Sequence, residues 1–158
     1  MIGVMTNVRT IIELMKANAD FPTINAKEPQ GLSPSGQPYR VLLVDDSMFV
    51  RKQLNQILTS EGFHIVGQAE DGVQGLELFK ELHPNVDLVT MDITMPNMDG
   101  ISCLEKIIVF DKDAKVIMIS ALGKEDLVKK ALMAGAKNYI VKPLDRKKVL
   151  ERIAGVLG

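Results

Sequence analysis

Five short apolar runs, each followed by an amphipathic stretch, constrain this chain more than any other feature of its sequence. The runs are Arg40–Val44, His64–Gln68, Leu88–Met91, Val116–Ile119 and Tyr139–Val141. Their near-continuous Val, Ile, Leu and Met content suits strands covered on both faces, as in a parallel sheet. Apolar residues recur at helical spacing over about 47–60, 72–82, 100–110, 124–134 and 144–156. Boundary residues agree with these limits. Gly62 and Gly135 follow helices, where a left-handed residue is often needed. Asp99 is placed to cap the third helix, and Pro143 to sit in the first turn of the last. The alternation predicts an α/β fold, a (βα)5 doubly wound five-stranded parallel sheet with helices on both faces and right-handed crossovers.

Upstream the pattern changes. Over residues 4–17, Val4, Met5, Val8, Ile11, Ile12 and Met15 recur at three- and four-residue spacing, which predicts an extra amphipathic helix. From Asp20 to Pro38 the chain turns to Pro, Gly, Ser and Asn and reads as a linker. Residues 1–38 are thus expected to form an N-terminal extension and 39–158 a single domain. So short a helix is marginal alone in water, so it either docks or frays. Docking on the domain, self-association through a second copy and binding to a partner all stay open.

Composition narrows the function classes. The formal net charge is −1, without the basic excess of a general nucleic-acid binder. No stretch of roughly 18 apolar residues exists to predict membrane insertion, and Arg9, Glu13 and Lys16 break up any secretory signal. A single cysteine, Cys103, excludes an intrachain disulfide and fits a reducing compartment, so the expected location is cytoplasmic.

In open sheets of this kind, ligands sit outside the carboxyl ends of the strands, near the topological switch point. The residues at those ends are Asp45 and Asp46 after the first run, Asp92 after the third, Ser120 after the fourth and Lys142 after the fifth. Like carboxylates about 4 Å apart repel by about 4 kcal/mol at an effective dielectric near 20. A cation must compensate, or one carboxylate must stay protonated. Oxygen ligands without nearby Cys or His favour a hard ion, and Mg²⁺, which takes few carboxylates plus waters and phosphate oxygens, fits best. Lys142 and the Ser120 hydroxyl suit the remaining oxygens of a phosphoryl group, and Asp92 suits a nucleophile that forms an acyl phosphate. His64, on an edge strand, and His83, before Pro84, show no metal-ligand spacing, and Cys103 reads as a small packing residue. Met48 and Met95 are candidates to flank the pocket.

Val41-Leu42-Leu43-Val44-Asp45-Asp46-Ser47, Met91-Asp92-Ile93-Thr94-Met95-Pro96-Asn97-Met98-Asp99-Gly100, Ser120-Ala121 and Lys142-Pro143 resemble the response-regulator receiver family over about residues 39–157. This family is itself one of the cases behind the switch-point rule. The resemblance implies a flavodoxin-like strand order, 2-1-3-4-5, and a cis peptide at Lys142-Pro143. It implies that Asp92 is the phosphoacceptor, assisted by Lys142 and Ser120. Mg²⁺ would be held by Asp46, Asp92 and the backbone carbonyl of Thr94, with Asp45 acting through water. Ser120 and Tyr139 would form the switch, Tyr139 turning inward as the hydroxyl moves toward the phosphoryl group. Two features depart from the family: Leu144 replaces a frequent aromatic, and the first 38 residues have no counterpart in the core family.

Asp92-Ile93-Thr94-Met95-Pro96 with Ser120-Ala121-Leu122-Gly123-Lys124 looks most like chemotaxis-type single-domain regulators. That likeness implies a chemotaxis histidine kinase as phosphodonor and a flagellar motor switch protein as target, and it leaves room for a dedicated phosphatase. The chain is then a signalling phosphoacceptor and not an enzyme acting on external substrates. A phosphorelay carrier serving a histidine phosphotransfer protein is the alternative in the same fold. An aspartate-nucleophile phosphatase of the haloacid-dehalogenase kind needs a second acid where this chain has Thr94. A nucleotide or flavin module lacks its glycine-rich loop.

Overall fold

A computed structural model describes residues 29–158 of the 158-residue chain. The expected helix at 4–17 lies outside the described residues. Five strands alternate with five helices: β1 (Arg40–Val44), α1 (Met48–Thr59), β2 (His64–Ala69), α2 (Gly72–Leu82), β3 (Leu88–Asp92), α3 (Gly100–Phe110), β4 (Val116–Ser120), α4 (Glu125–Met133), β5 (Asn138–Val141) and α5 (Arg146–Leu157). All strand pairs are parallel and the order is β2-β1-β3-β4-β5, the order that the family resemblance implied.

Alternation along each strand divides the core. Leu42, Val44, Val89, Met91, Val116 and Met118 face α2, α3 and α4, where Phe79, Leu104, Ile107 and Ala131 complete one apolar layer. Their neighbours Val41, Leu43, Leu88, Ile117 and Ile119 face α1 and α5, against Leu54, Leu58, Val149 and Ile153. A period of two on a sheet with both faces covered requires this split. The central strands β1, β3 and β4 are apolar and buried almost throughout, while β2 and β5 are partly exposed edges. His64 opens the β2 edge, as expected.

Caps set most helix starts. Ser47, Asp71, Asp99 and Asp145 each accept a hydrogen bond from the backbone N–H three residues on. Gly62 and Gly135 take left-handed φ values of 90° and 119° after α1 and α4. Pro143 corrects the expectation for the last helix. It does not lie in the first turn, because Asp145 caps α5 by accepting from the Lys148 N–H and the helix begins at Arg146. The peptide Lys142–Pro143 is cis, and so is His83–Pro84.

Residues 29–38, the end of the segment read as linker, form a closed turn tied to the domain. The Gly31 N–H donates to the Glu61 carbonyl (2.8 Å), the Tyr39 N–H to the Gly31 carbonyl (2.7 Å), and Leu32 bridges Pro38. No helix among the described residues is long and apolar enough to cross a membrane.

Candidate functional site

Parallel strands deliver their carboxyl ends to one rim, and the acids arrive there from two neighbouring strands. Oxygens of Asp45, Asp46 and Asp92 all lie within 4.8 Å of one another. Asp45 and Asp92 are buried, whereas Asp46 is exposed. Lys142, just past β5, places its ammonium 3.3 Å from Asp92 Oδ1 and 3.5 Å from Asp45 Oδ2. Residues 50 positions apart in sequence thus share one charge cluster, and one lysine faces three carboxylates.

The electrostatics follow from that imbalance. Burial, then the charge of Asp45, pushes the Asp92 carboxyl up to about 7 against the pull of Lys142. Burial also raises Asp45, although the Ser47 N–H donates to its Oδ1 at 2.8 Å. Its other oxygen, Oδ2, is buried without a hydrogen-bond partner. With only the Lys142 ammonium, 3.5 Å away, to offset its charge, that buried oxygen is costly, and a divalent cation among three acids would relieve it. The donor set is all oxygen, with no thiol or imidazole in the cluster, which fits Mg²⁺.

The other expected residues stand close to this rim in different ways. Ser120, the last residue of β4, is buried, and its hydroxyl donates to the Ala121 carbonyl at 2.9 Å. Thr94 lies exposed in the β3–α3 loop, two residues after Asp92. Tyr139 is half-buried on β5, with the Arg152 guanidinium 4.9 Å from its ring centre. It lines a cleft of about 290 Å³ with Ser120, Leu122 and Val141. Of the two methionines, Met48 is exposed at the start of α1, whereas Met95 is buried in the α2–α4 core layer. Cys103 is packed in that same layer.

Three supporting residues escaped the reading of the sequence. Arg51 is buried and donates to the Asp45 carbonyl (2.6 Å) and to Gln68 Oε1 (3.2 Å), which fixes the end of β1. Its signal was present, since it shares the buried stripe of Val50, Leu54 and Leu58, where a charge needs a partner. Asp71 accepts from Asn97 Nδ2 at 2.7 Å, and the Gly72 N–H donates to the Met98 carbonyl at 3.1 Å. These bonds tie the β2–α2 loop to the loop that follows Asp92. Nothing local pairs residues 26 positions apart, so only the left-handed φ of 67° at Asn97, a residue type that tolerates it, had a trace in sequence.

A sequence model of the response regulator receiver domain matches residues 41–154. The chemotaxis protein CheY of Treponema pallidum (strain Nichols) is 70% identical over 143 residues, 90% of this chain and 99% of the relative. The chemotaxis protein CheY of Bacillus subtilis (strain 168) is 50% identical over 120 residues, 76% of this chain and 98% of the relative. Among solved structures, the CheX-CheY-BeF3-Mg2+ complex from Borrelia burgdorferi aligns with a TM-score of 0.81 at 57% identity, covering 84% of this chain and 99% of that one. With this strand order, this acid rim and these matches, the chain belongs to the response regulator receiver domain family and is CheY-like within it.

Proposed function

We propose that this chain is a chemotaxis response regulator that accepts a phosphoryl group on Asp92 from a histidine kinase. The observation that carries the reading is the acid rim itself, with Asp92 between two further acids and the ammonium of Lys142. Asp46, Asp92 and the Thr94 carbonyl would hold Mg²⁺, with Asp45 acting through water. When bound, the ion offsets the acidic charge and takes phosphate oxygens as ligands.

The residues of the chain then have defined tasks. A carboxylate oxygen of Asp92 attacks phosphorus in line while the bond from phosphorus to the kinase imidazole nitrogen breaks and its electron pair returns to the ring. Lys142, already 3.3 Å from Asp92 Oδ1, follows the charge as it moves onto the phosphoryl oxygens. Ser120 would exchange its bond to the Ala121 carbonyl for one to a phosphoryl oxygen, and Tyr139 would turn into the cleft beside it. In this way an added charge of about −1.5 to −2 biases the surface around α4 and β5. Leu122 and Met133 are exposed near that surface and give a partner apolar footing.

The names of the relatives support the chemotaxis pathway, and a flagellar motor switch protein is the proposed target. The Borrelia relative is seen with CheX, so a partner of that kind is also proposed. The chain would promote only its own phosphorylation and dephosphorylation, working in the cytoplasm. Incubation with a small phosphodonor and Mg²⁺, followed by intact mass, tests the core of the reading. Wild type should gain one phosphoryl group and Asp92→Asn none; equal labelling of both would refute it.

A further inference from the structure

A groove of about 590 Å³ opens at the amino ends of β1 and β2, at the opposite end of the sheet from Asp92. Tyr39 and Phe63, their rings stacked with centroids 6.3 Å apart, form one wall, and Ile153, Ala154 and Leu157 of α5 form another. Pro29, the first described residue, lies on its rim, and Leu32 is 39% exposed there. The turn 29–38 is held by the hydrogen bonds from Gly31 and Tyr39 and by the Leu32–Pro38 bridge. Ordering a loop costs about 1–2 kcal/mol per residue in backbone entropy. The apolar surface left open to solvent along the groove comes from Leu32, Ala154 and the half-buried Tyr39 and Leu157.

The chain upstream carries a matching surface. Val4, Met5, Val8, Ile11, Ile12 and Met15 form an apolar stripe at helical spacing, and so short a helix is marginal in water without a cover. The 11 residues 18–28 separate that helix from the groove rim. Extended, they reach about 40 Å, so the tether allows the stripe to lie in the groove. A short tether also sets an effective concentration in the mM range, which favours the chain's own groove over that of another copy.

We propose that residues 4–17 form an amphipathic helix that docks its apolar stripe into the groove between Tyr39, Phe63 and α5 of the same chain. Docking covers the stripe and the groove together and leaves the Asp92 rim open to partners.

Paramagnetic broadening in the full chain tests this. Gly155 is exposed on α5 with open space around an added Cβ, so Gly155→Cys accepts a nitroxide beside the groove. Cys103 is buried with its thiol pushed up to about 12, and stays unlabelled. Isotope-labelled, spin-labelled protein is diluted into unlabelled copies, and amide signals of residues 4–17 are followed with and without Ile12→Glu. Loss of those signals, with recovery on Ile12→Glu, is expected. Undiminished signals, or broadening that persists in Ile12→Glu, overturn the proposal. Broadening seen only when nitroxide and isotope sit on different copies also overturns it, assigning the groove to a second molecule.

Discussion

Asp92 sits in a carboxyl environment that burial and Asp45 make unfavourable for its charge, so its pKa is raised to about 7. An acid raised on folding contributes its full stability below its unfolded value of about 3.9 and loses it as pH climbs through the folded value. In chelator, the fold should therefore weaken between about pH 4 and 7. Asp92→Asn should remove the Asp92 share of that loss and leave the Asp45 share, with a gain on the order of 2 kcal/mol at pH 8 that fades toward pH 4. Thermal melts across this range check it, and identical curves would remove the electrostatic account of the rim. Gly100 is constrained by space instead. A Cβ there would collide with the Asp92 carbonyl oxygen, while its own N–H donates to the Ile93 carbonyl at 2.7 Å. Gly100→Ala should cost roughly 2 kcal/mol and slow phosphoryl uptake, because the loop after Asp92 must shift. Urea unfolding and the uptake rate measure the two effects separately.

Between elements, the clamp from the β2–α2 loop to the β3–α3 loop decides where the chain goes after Asp92. Asp71 both caps α2, accepting from the Gln74 N–H at 2.9 Å, and accepts from Asn97. These two bonds hold its carboxyl below the usual range, the Gln74 bond more strongly. Asp71→Ala removes a cap worth about 1 kcal/mol together with the bond from the Asn97 amide. The loss should reach about 2 kcal/mol, with a coupling of roughly 1 kcal/mol to Asn97→Ala in a double-mutant cycle. Additive losses would mean that the two loops are positioned independently. The same logic explains Arg51, whose buried guanidinium joins α1 to the end of β1.

At the scale of the molecule, folding concentrates three acids against one lysine, so cation binding and stability are linked. Mg²⁺ binding the folded state alone should add about 2.7 kcal/mol when its concentration is 100 times Kd. Asp46 is exposed, so Asp46→Asn should leave metal-free stability nearly unchanged while removing most of that gain. Melts in chelator and in Mg²⁺, at matched ionic strength, give both numbers. An undiminished gain in Asp46→Asn would take Asp46 out of the metal site.

Much of this was legible in the residues alone. Five strands, five helices, the caps at Asp99 and the glycines after α1 and α4 depend on neighbours within a turn or a pleat, and short-range periodicity writes them directly into sequence. The rim residues were legible for a related reason, since each stands at the end of an apolar run and a parallel sheet brings all such ends together. Tertiary closure alone determined which polar atoms meet: Asp71 with Asn97, Arg51 with the Asp45 carbonyl, and the turn 29–38 with Glu61. It also moved the start of α5 past Pro143 to the Asp145 cap. Such pairings depend on how packed elements approach one another, a sum over the whole core that no local pattern of residues contains.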